Sequence, residues 1–298
     1  MNTRACGAPG RARIGISGWR YAPWRGVFYP EVLAQRDELE FASRQVDSIE
    51  INGSFYSLQP SSAWQRWHDE TPEDFVFSVK GPRFVTHMKK LRDVRVPLAN
   101  FFASGVLSLQ RKLGPVLWQL PPQLAFDASR VASFLALLPR DTASARELAR
   151  EHDHRVDKTG TWLNKGPSRP VRHAVEVRHP SFASPEFIAM LRREAVGLVV
   201  ADTAHRWPLL EDLTADFVYV RLHGDQDLYA SGYGDQALDD WARRIDAWRS
   251  GSQVADARTA SDVAPRRRAR RDVYCYFDND IKVHAPFDAM ALASRLVE

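Results

Sequence analysis

Ionisable side chains recur inside short apolar runs, at positions that alternate with the apolar residues. Glu50 lies in the run SIEIN (48–52), and Arg221 lies in the run FVYVRLHG (217–224). Successive side chains of a strand point to opposite faces, so the charged residues should share the face opposite the apolar ones. The charged residues predicted to share such a face are Glu50, Lys80, Glu176, Arg178, Asp202, Arg221, His223 and Asp278.

Acid–base catalysis is the first chemistry that this set could perform. If Glu50 and Glu176 face one another across a barrel, their carboxyls could approach to within ~5–10 Å, the range that glycosidases use. His223 could act as a general acid or base, because the pKa of an unperturbed imidazole lies near ~6.5. These three residues are the predicted catalytic groups. The sequence leaves open whether the protein is an enzyme, and the classes that fit are hydrolase, isomerase and lyase.

Anion binding is the second chemistry. Lys80, Arg178 and Arg221 could hold the oxygens of a small polar or phosphorylated ligand, because guanidinium groups bind oxyanions in a bidentate manner. Asp202 and Asp278 would orient these cations. Further ligand-binding candidates are Asn52, Gln119, His87 and the aromatic residues Trp19 and Tyr56, which could stack on a sugar ring or a base.

A structural ion-pair network is the competing interpretation, in which Arg178 and Arg221 neutralise Glu176 and Asp202. Desolvating a charge costs several kcal/mol, so buried charges are usually paired. A metal site is not predicted, because Lys80 and the two arginines would repel a cation. The sequence does not indicate any cofactor.

The elements that must position these residues are eight apolar runs of strand length, separated by stretches with helical spacing. The runs are 14–18, 48–52, 75–80, 116–120, 173–178, 197–202, 217–224 and 273–280. Helices are predicted at 31–46, at 127–138 with Asp127 as its cap, and at 235–248. Eight alternations of strand and helix predict one α/β domain, a (β/α)₈ TIM-type barrel with eight parallel strands.

The other α/β architecture, an open doubly wound sheet, usually carries a glycine fingerprint after its first strand. The segment GWRYAPWRG that follows the first run lacks G-x-G-x-x-G. In a barrel the C-terminal ends of the strands form one rim, where active sites lie. The charged residues are therefore predicted to gather at this mouth.

Eight ordered motifs also resemble the YecE-like proteins, the domain-of-unknown-function 72 family. They are GISGWRY…WRGVFYP (15–30), IEINGSFY (49–56), TP…FSVK (71–80), TH (86–87), QLPP (119–122), VEVRHPSF (175–182), RLHG (221–224) and FDND (277–280). The resemblance covers nearly the whole chain from Ile14 onward and implies a TIM-type barrel but no established activity. The chain departs from the family pattern at Asp278 and at 282–284, which leaves the role of Asp278 open.

Charge is distributed unevenly along the chain. Residues 249–271 hold seven arginines against two aspartates, an excess of five positive charges, so with a total of +4 the other residues sum to −1. This segment is poor in apolar residues, which predicts a disordered insertion. We therefore expect a disordered tail at 1–13 and a barrel at 14–298 that is interrupted by the arginine-rich insertion. A nucleic-acid-associated module tethered by this insertion is the less favoured alternative, because the remaining body is slightly acidic.

Cysteine and hydropathy patterns bear on the compartment. Cys6 and Cys275 cannot build a disulfide framework, which favours a reducing cytoplasm. The sequence has no apolar run of the ~18 residues that a membrane span requires. A cytoplasmic protein without a membrane partner is expected.

Overall fold

The eight predicted strands form a closed parallel barrel, which confirms the predicted fold. The structure is a computed structural model that describes residues 8–156 and 166–296. Each strand pairs in parallel with the next along the chain, and the last pairs with the first. The strands are β1 (Ala12–Ser17), β2 (Ser48–Ile51), β3 (Val76–Lys80), β4 (Leu113–Gln119), β5 (His173–Glu176), β6 (Gly197–Asp202), β7 (Phe217–Leu222) and β8 (Asp272–Phe277).

Helices surround this barrel. The α-helices of the described residues are α1 (Glu38–Ala42), α2 (Gly53–Tyr56), α3 (Ser61–Asp69), α4 (Arg95–Ala103), α5 (Ala128–Leu137), α6 (Thr142–Ala149), α7 (Pro185–Arg193), α8 (Asp235–Arg249) and α9 (His284–Arg295). Short 3₁₀ segments lie at Ala22–Trp24, Gln35–Asp37, Val106–Lys112 and Pro180–Phe182, and a π-helical turn at Phe84–Met88.

Two of the three predicted helices are confirmed as α5 and α8. Asp127 caps α5 as expected, since its side chain accepts a hydrogen bond from the backbone N–H of Arg130 at 3.0 Å. The prediction of one helix over 31–46 is wrong. The chain turns after Pro30 and leaves Val32 96 % exposed before the short α1 begins.

The strand alternation creates two apolar layers. The outward side chains pack against the helices, and a second cluster fills the barrel interior. At the centre of the interior the Tyr276 hydroxyl lies 2.7 Å from the Oγ atoms of both Ser48 and Ser78. The buried residues of the interior cluster are Leu117, Ala174, Val199, Ala201, Ala215, Phe217, Tyr219, Tyr274 and Tyr276. The barrel is therefore packed solid beneath its mouth.

Part of the N-terminal tail predicted at 1–13 is ordered in the structure. Residues 1–7 lie outside the described residues. Ala12 and Arg13 belong to β1, where they pair with Val273 and Tyr274 of β8. The barrel thus begins before Ile14, because backbone pairing with β8 extends the strand beyond its apolar run.

The arginine-rich segment also differs from the expectation of disorder. Arg249 ends α8, and the residues that follow take an irregular but defined path. Arg271 is buried and donates to the carbonyl oxygens of Gly251 and Arg266 at 2.8 and 2.9 Å. Asp212 accepts hydrogen bonds from the N–H groups of Ala260 and Ser261. Hydrogen bonds within the segment and to Asp212 outside it thus order a stretch whose composition alone predicts disorder.

None of the described helices has the length and apolar character needed to cross a bilayer.

Replacing the buried Asp212 tests the packing of the arginine-rich segment. We expect Asp212→Ala to lower the free energy of unfolding by about 1–3 kcal/mol, because the buried N–H of Ser261 and the partly buried N–H of Ala260 lose their acceptor. Amide hydrogen exchange at Ala260 and Ser261 should accelerate. The exposed Asp262 is the control, and Asp262→Ala should leave both quantities unchanged. Equal exchange in the two variants would contradict a packed segment.

Candidate functional site

The charged groups at the C-terminal ends of the strands meet on one buried guanidinium. Arg221, at the end of β7, is 0 % exposed. Its Nη2 lies 2.9 Å from Glu50 Oε1 and 2.8 Å from Asp278 Oδ2, and its Nη1 lies 2.8 Å from Glu176 Oε2. Nη2 also lies 3.2 Å from Ser17 Oγ. Arg221 therefore bridges three carboxylates that come from different parts of the barrel.

Glu50 makes further hydrogen bonds. The hydroxyls of Ser17 and Tyr219 each donate to its carboxylate at 2.5 Å. Ser17 and Glu50 are paired in register on β1 and β2, which brings the first of these donors beside the carboxylate. The Asn52 amide in turn donates to Ser17 Oγ at 2.9 Å. Ser17, Tyr219 and Arg221 thus hold the Glu50 carboxylate in one orientation.

Glu176 is held in a similar manner. Gln119 Nε2 donates to both of its oxygens, at 3.0 and 3.1 Å, and Arg178 Nε donates to Oε1 at 2.7 Å. Burial alone would raise the pKa of Glu176, but Arg178 and Arg221 hold it well below the usual range. Glu176 therefore remains ionised at neutral pH, which does not suit a general acid.

His223 lies above Arg221 on the same face of β7. Arg221 Nη1 lies 3.3 Å from His223 Nε2, and His223 Nδ1 lies 3.0 Å from Asp278 Oδ2, although its N–H is not aligned with that oxygen. Burial and the charge of Arg221 lower the pKa of His223, so the imidazole is neutral at pH 7. Burial would raise the pKa of Asp278, but Arg221 and His223 lower it strongly.

Lys80 differs from the other charged groups of the mouth. It ends β3, is 8 % exposed, and its Nζ lies 4.4 Å from the centroid of the Phe55 ring. Within the part of the chain that the structure describes, no carboxylate oxygen lies within 4.0 Å of this ammonium. Burial, together with the charge of Arg221, lowers the pKa of Lys80 to about 8.

Arg178 is the second cation with unused donors. Its guanidinium lies over the Trp207 ring, 3.8 Å from the centroid, and its side chain is 11 % exposed. Nε is used by Glu176, and Nη2 makes only a long contact of 3.5 Å with the Tyr229 hydroxyl. Tyr229 also packs edge-on against the His223 ring at 5.2 Å.

Two more ionisable groups have strongly shifted pKa values. Burial and the nearby Asp278 raise the pKa of Asp280 to about 6. His87 packs edge-on against Phe55 at 5.1 Å. Burial, followed by the charges of Arg178 and Lys80, lowers the pKa of His87 to about 4, so this imidazole is neutral.

Three predicted site residues do not join this cluster. Asp202 points away from the barrel interior, because β6 turns Ala201 inward, and its carboxylate accepts a hydrogen bond from the Tyr233 hydroxyl at 3.0 Å. Trp19 is buried edge-on against Trp67, with ring centroids 5.4 Å apart. Tyr56 is 70 % exposed and contacts the ring of its neighbour Phe55.

The structure brings together the other ten predicted site residues. Glu50, Glu176, Arg178, Arg221, His223, Asp278, Asn52 and Gln119 join the hydrogen-bonded network, whereas Lys80 and His87 flank it at Phe55. The prediction omitted Ser17, Tyr219, Asp280, Trp207 and Tyr229 as site residues. Strand alternation places Ser17 and Tyr219 on the inward face, so a signal existed for these two.

Metal-ligating side chains are not grouped in this way. Across residues 8–156 and 166–296, no three or more His, Cys, Asp or Glu side chains form an arrangement that could hold a metal ion.

A closed parallel barrel with its charged residues at the C-terminal rim defines a protein of the TIM-barrel class. The chain belongs to the family described as protein of unknown function DUF72, which it matches over residues 13–298. A DUF72 family protein of Thermotoga maritima has a similar solved structure, with a TM-score of 0.71, 24 % identity, and coverage of 97 % of this chain and 100 % of that one. A DUF72 family protein of Enterococcus faecalis gives a TM-score of 0.69 at 16 % identity, covering 96 % and 95 % of the two chains.

Curated relatives match over shorter stretches. The UPF0759 protein YunF of Bacillus subtilis is 31 % identical over 114 residues, which are 37 % of this chain and 39 % of YunF. The UPF0759 protein YecE of Escherichia coli is 27 % identical over 169 residues, 57 % of this chain and 49 % of YecE. The chain thus matches about two fifths to one half of the length of these relatives.

Removing the central guanidinium should destabilise the barrel strongly. We expect Arg221→Met to lower the free energy of unfolding by about 3–5 kcal/mol, because the fully buried Glu50 and Glu176 and the largely buried Asp278 lose their shared partner. The control is Arg295→Met, since Arg295 pairs with Asp235 and Asp239 at the surface, where ion pairs contribute little. Urea unfolding measures both. Similar losses in the two variants would contradict the central role of Arg221.

The depressed pKa values of Glu176 and Asp278 predict an acid-sensitive fold. The unfolded chain binds protons on these carboxyls near pH ~4, whereas the folded chain does not, so their contribution is complete above that pH and is lost on acidification. We expect the difference in unfolding free energy between the wild type and Glu176→Gln to shrink as the pH falls from about 7 to about 3. A difference that stays constant with pH would contradict this assignment.

Proposed function

We propose that the protein is an enzyme that binds a small anionic ligand, phosphorylated or sugar-like, at the C-terminal mouth of the barrel. The observation that carries this proposal is that two cations at the mouth, Lys80 and Arg178, have donors that the internal network does not use. Arg221 already serves three carboxylates, so the ligand-binding role expected of it falls to the other two cations.

Arg178 is the stronger anchor for the ligand. Its Nε is fixed by Glu176, and Trp207 supports the plane of the guanidinium, so its terminal nitrogens have a defined direction. A guanidinium fixed in this way can bind two oxygens of a phosphate or carboxylate at little entropic cost. The rings of Trp207 and Tyr229 border the same region and are suited to contact with the apolar face of a sugar.

Proton transfer is assigned to groups that titrate near neutral pH, since a catalytic acid or base works best there. Lys80, with a pKa of about 8, and Asp280, with a pKa of about 6, meet this condition. Glu50 and Glu176 are occupied by several donors each, and both ring nitrogens of His223 contact Arg221 or Asp278. We therefore propose that these three position the cations of the mouth.

The nucleic-acid alternative stays a prediction. The exposed Arg266, Arg267 and Arg270 precede Asp272, the first residue of β8. They thus lie toward the N-terminal end of the barrel, away from the mouth. A tether at this end and a base bound at the mouth would not share one continuous surface.

Ligand binding at Arg178 can be tested with a panel of sugar phosphates and inorganic phosphate, by thermal shift and titration calorimetry. We expect at least one member to bind the wild type and Arg178→Leu to weaken that binding at least about tenfold, or ~1.4 kcal/mol. The reason is the loss of a cation that Glu176 and Trp207 fix in orientation and whose terminal nitrogens remain available to a ligand.

The matched control is Arg206→Leu, because Arg206 is exposed and adjoins Trp207 in sequence. It should bind as the wild type does. Circular dichroism should verify that both variants are folded. The proposal fails if no member of the panel binds, or if Arg178→Leu and Arg206→Leu bind equally well.

A further inference from the structure

In the part of the chain that the structure describes, two lysines are buried, in very different surroundings. Lys112 is 4 % exposed, and its ammonium donates to the carbonyl oxygens of His68 and Thr71, at 2.5 and 2.8 Å, and to Thr71 Oγ1 at 3.2 Å. Lys80 is 8 % exposed and makes no such contacts among the residues that the structure describes. Lys112 thus has the acceptors expected of a structural lysine, whereas the Lys80 ammonium has none within residues 8–156 and 166–296 and is not fully enclosed by protein atoms.

Burial destabilises the charged form of Lys80, although Glu50, Asp278 and Glu176 partly offset this effect. Its amine faces the Phe55 ring on one side, and the Arg221 guanidinium contributes a like charge. Burial and this charge lower its pKa to about 8, so roughly a tenth of the amine is unprotonated at pH 7. A neutral amine with a free lone pair is a nucleophile, and a buried lysine next to another cation is activated in this way.

We propose that Lys80 is a catalytic residue that forms a Schiff base with the carbonyl carbon of a small anionic aldehyde or ketone. The inference rests on the proposed function, because Arg178 would hold the carboxylate or phosphate of the same ligand. It specifies in addition that the substrate is a carbonyl compound and that Lys80 is the nucleophile.

The reaction balances without a co-reactant. The lone pair of the Lys80 nitrogen forms a bond to the carbonyl carbon, and the carbonyl oxygen takes a proton as the nitrogen loses one. This gives a carbinolamine. Its hydroxyl then takes up a proton and leaves as water, while the nitrogen lone pair forms the C=N bond. Because the nitrogen still carries one hydrogen, loss of water gives the iminium directly, and this cation withdraws electrons from the neighbouring carbon.

Reductive trapping tests this step on the full-length protein. Pyruvate and dihydroxyacetone phosphate serve as probes, with acetone as the uncharged comparison, and sodium cyanoborohydride supplies hydride to an iminium carbon. Peptide mapping by mass spectrometry locates the secondary amine that results. With pyruvate the added mass is that of pyruvic acid less one oxygen atom.

We expect at least one anionic probe to modify Lys80 about tenfold more than Lys112 or any exposed lysine, because Lys80 lies beside the proposed anion site and its amine has no acceptor among the described residues. Acetone should modify it less. Lys80→Arg should abolish the intact-protein adduct, whereas the matched variant Lys112→Arg should retain it. Since the comparison among lysines is made within the wild type, it stands even if a variant misfolds.

An absence of preferential modification at Lys80 with either anionic probe would overturn the Schiff-base assignment. If Arg178-dependent phosphate binding persists in that case, the proposed ligand site stands and only the nucleophile is wrong. If phosphate binding is also absent, both proposals fail.

Discussion

The interaction between Arg221 and three carboxylates is the constraint on which the mouth of this barrel depends. Glu50, Glu176 and Asp278 would repel one another in a region from which water is largely excluded. A single guanidinium can serve all three, because its planar fork presents donors in several fixed directions. A lysine could not do this, since its ammonium is a compact point charge. The network therefore fixes the relative positions of β2, β5, β7 and the segment after β8.

The same network determines which side chains of the mouth remain available to bind a ligand or react with it. Each carboxylate of the network is occupied by more than one donor or positive charge, and Arg221 has its terminal nitrogens in use. Lys80 lies beside this network yet pairs with none of it, and Arg178 takes part through one nitrogen only. We therefore assign reactivity to Lys80 at the edge of the network. The charges of the network shift the pKa of Lys80 without forming an ion pair with it.

Strand alternation explains how far the sequence predicts the site. It identifies the inward face of β2, β5 and β7, because charged and apolar residues alternate there, and so it predicts Glu50, Glu176 and Arg221. It fails for Asp202, because β6 (GLVVAD) is apolar on both faces, so its sequence does not show which residues point inward. It does not apply to Trp207 or Tyr229, which lie in loops, where side-chain direction depends on tertiary contacts. Composition fails in a similar way for the arginine-rich segment, because it does not reveal that Asp212, which is distant in sequence, accepts hydrogen bonds from the backbone of this segment.

The packing around Tyr276 limits how a ligand can enter and leave the barrel. The interior side chains fill the barrel, with Tyr276 in contact with Ser48 and Ser78, so the residues that the structure describes leave no passage between its two ends. Whatever enters at the rim must leave by the same opening. A bound product therefore obstructs the entry of the next reactant until it leaves the mouth.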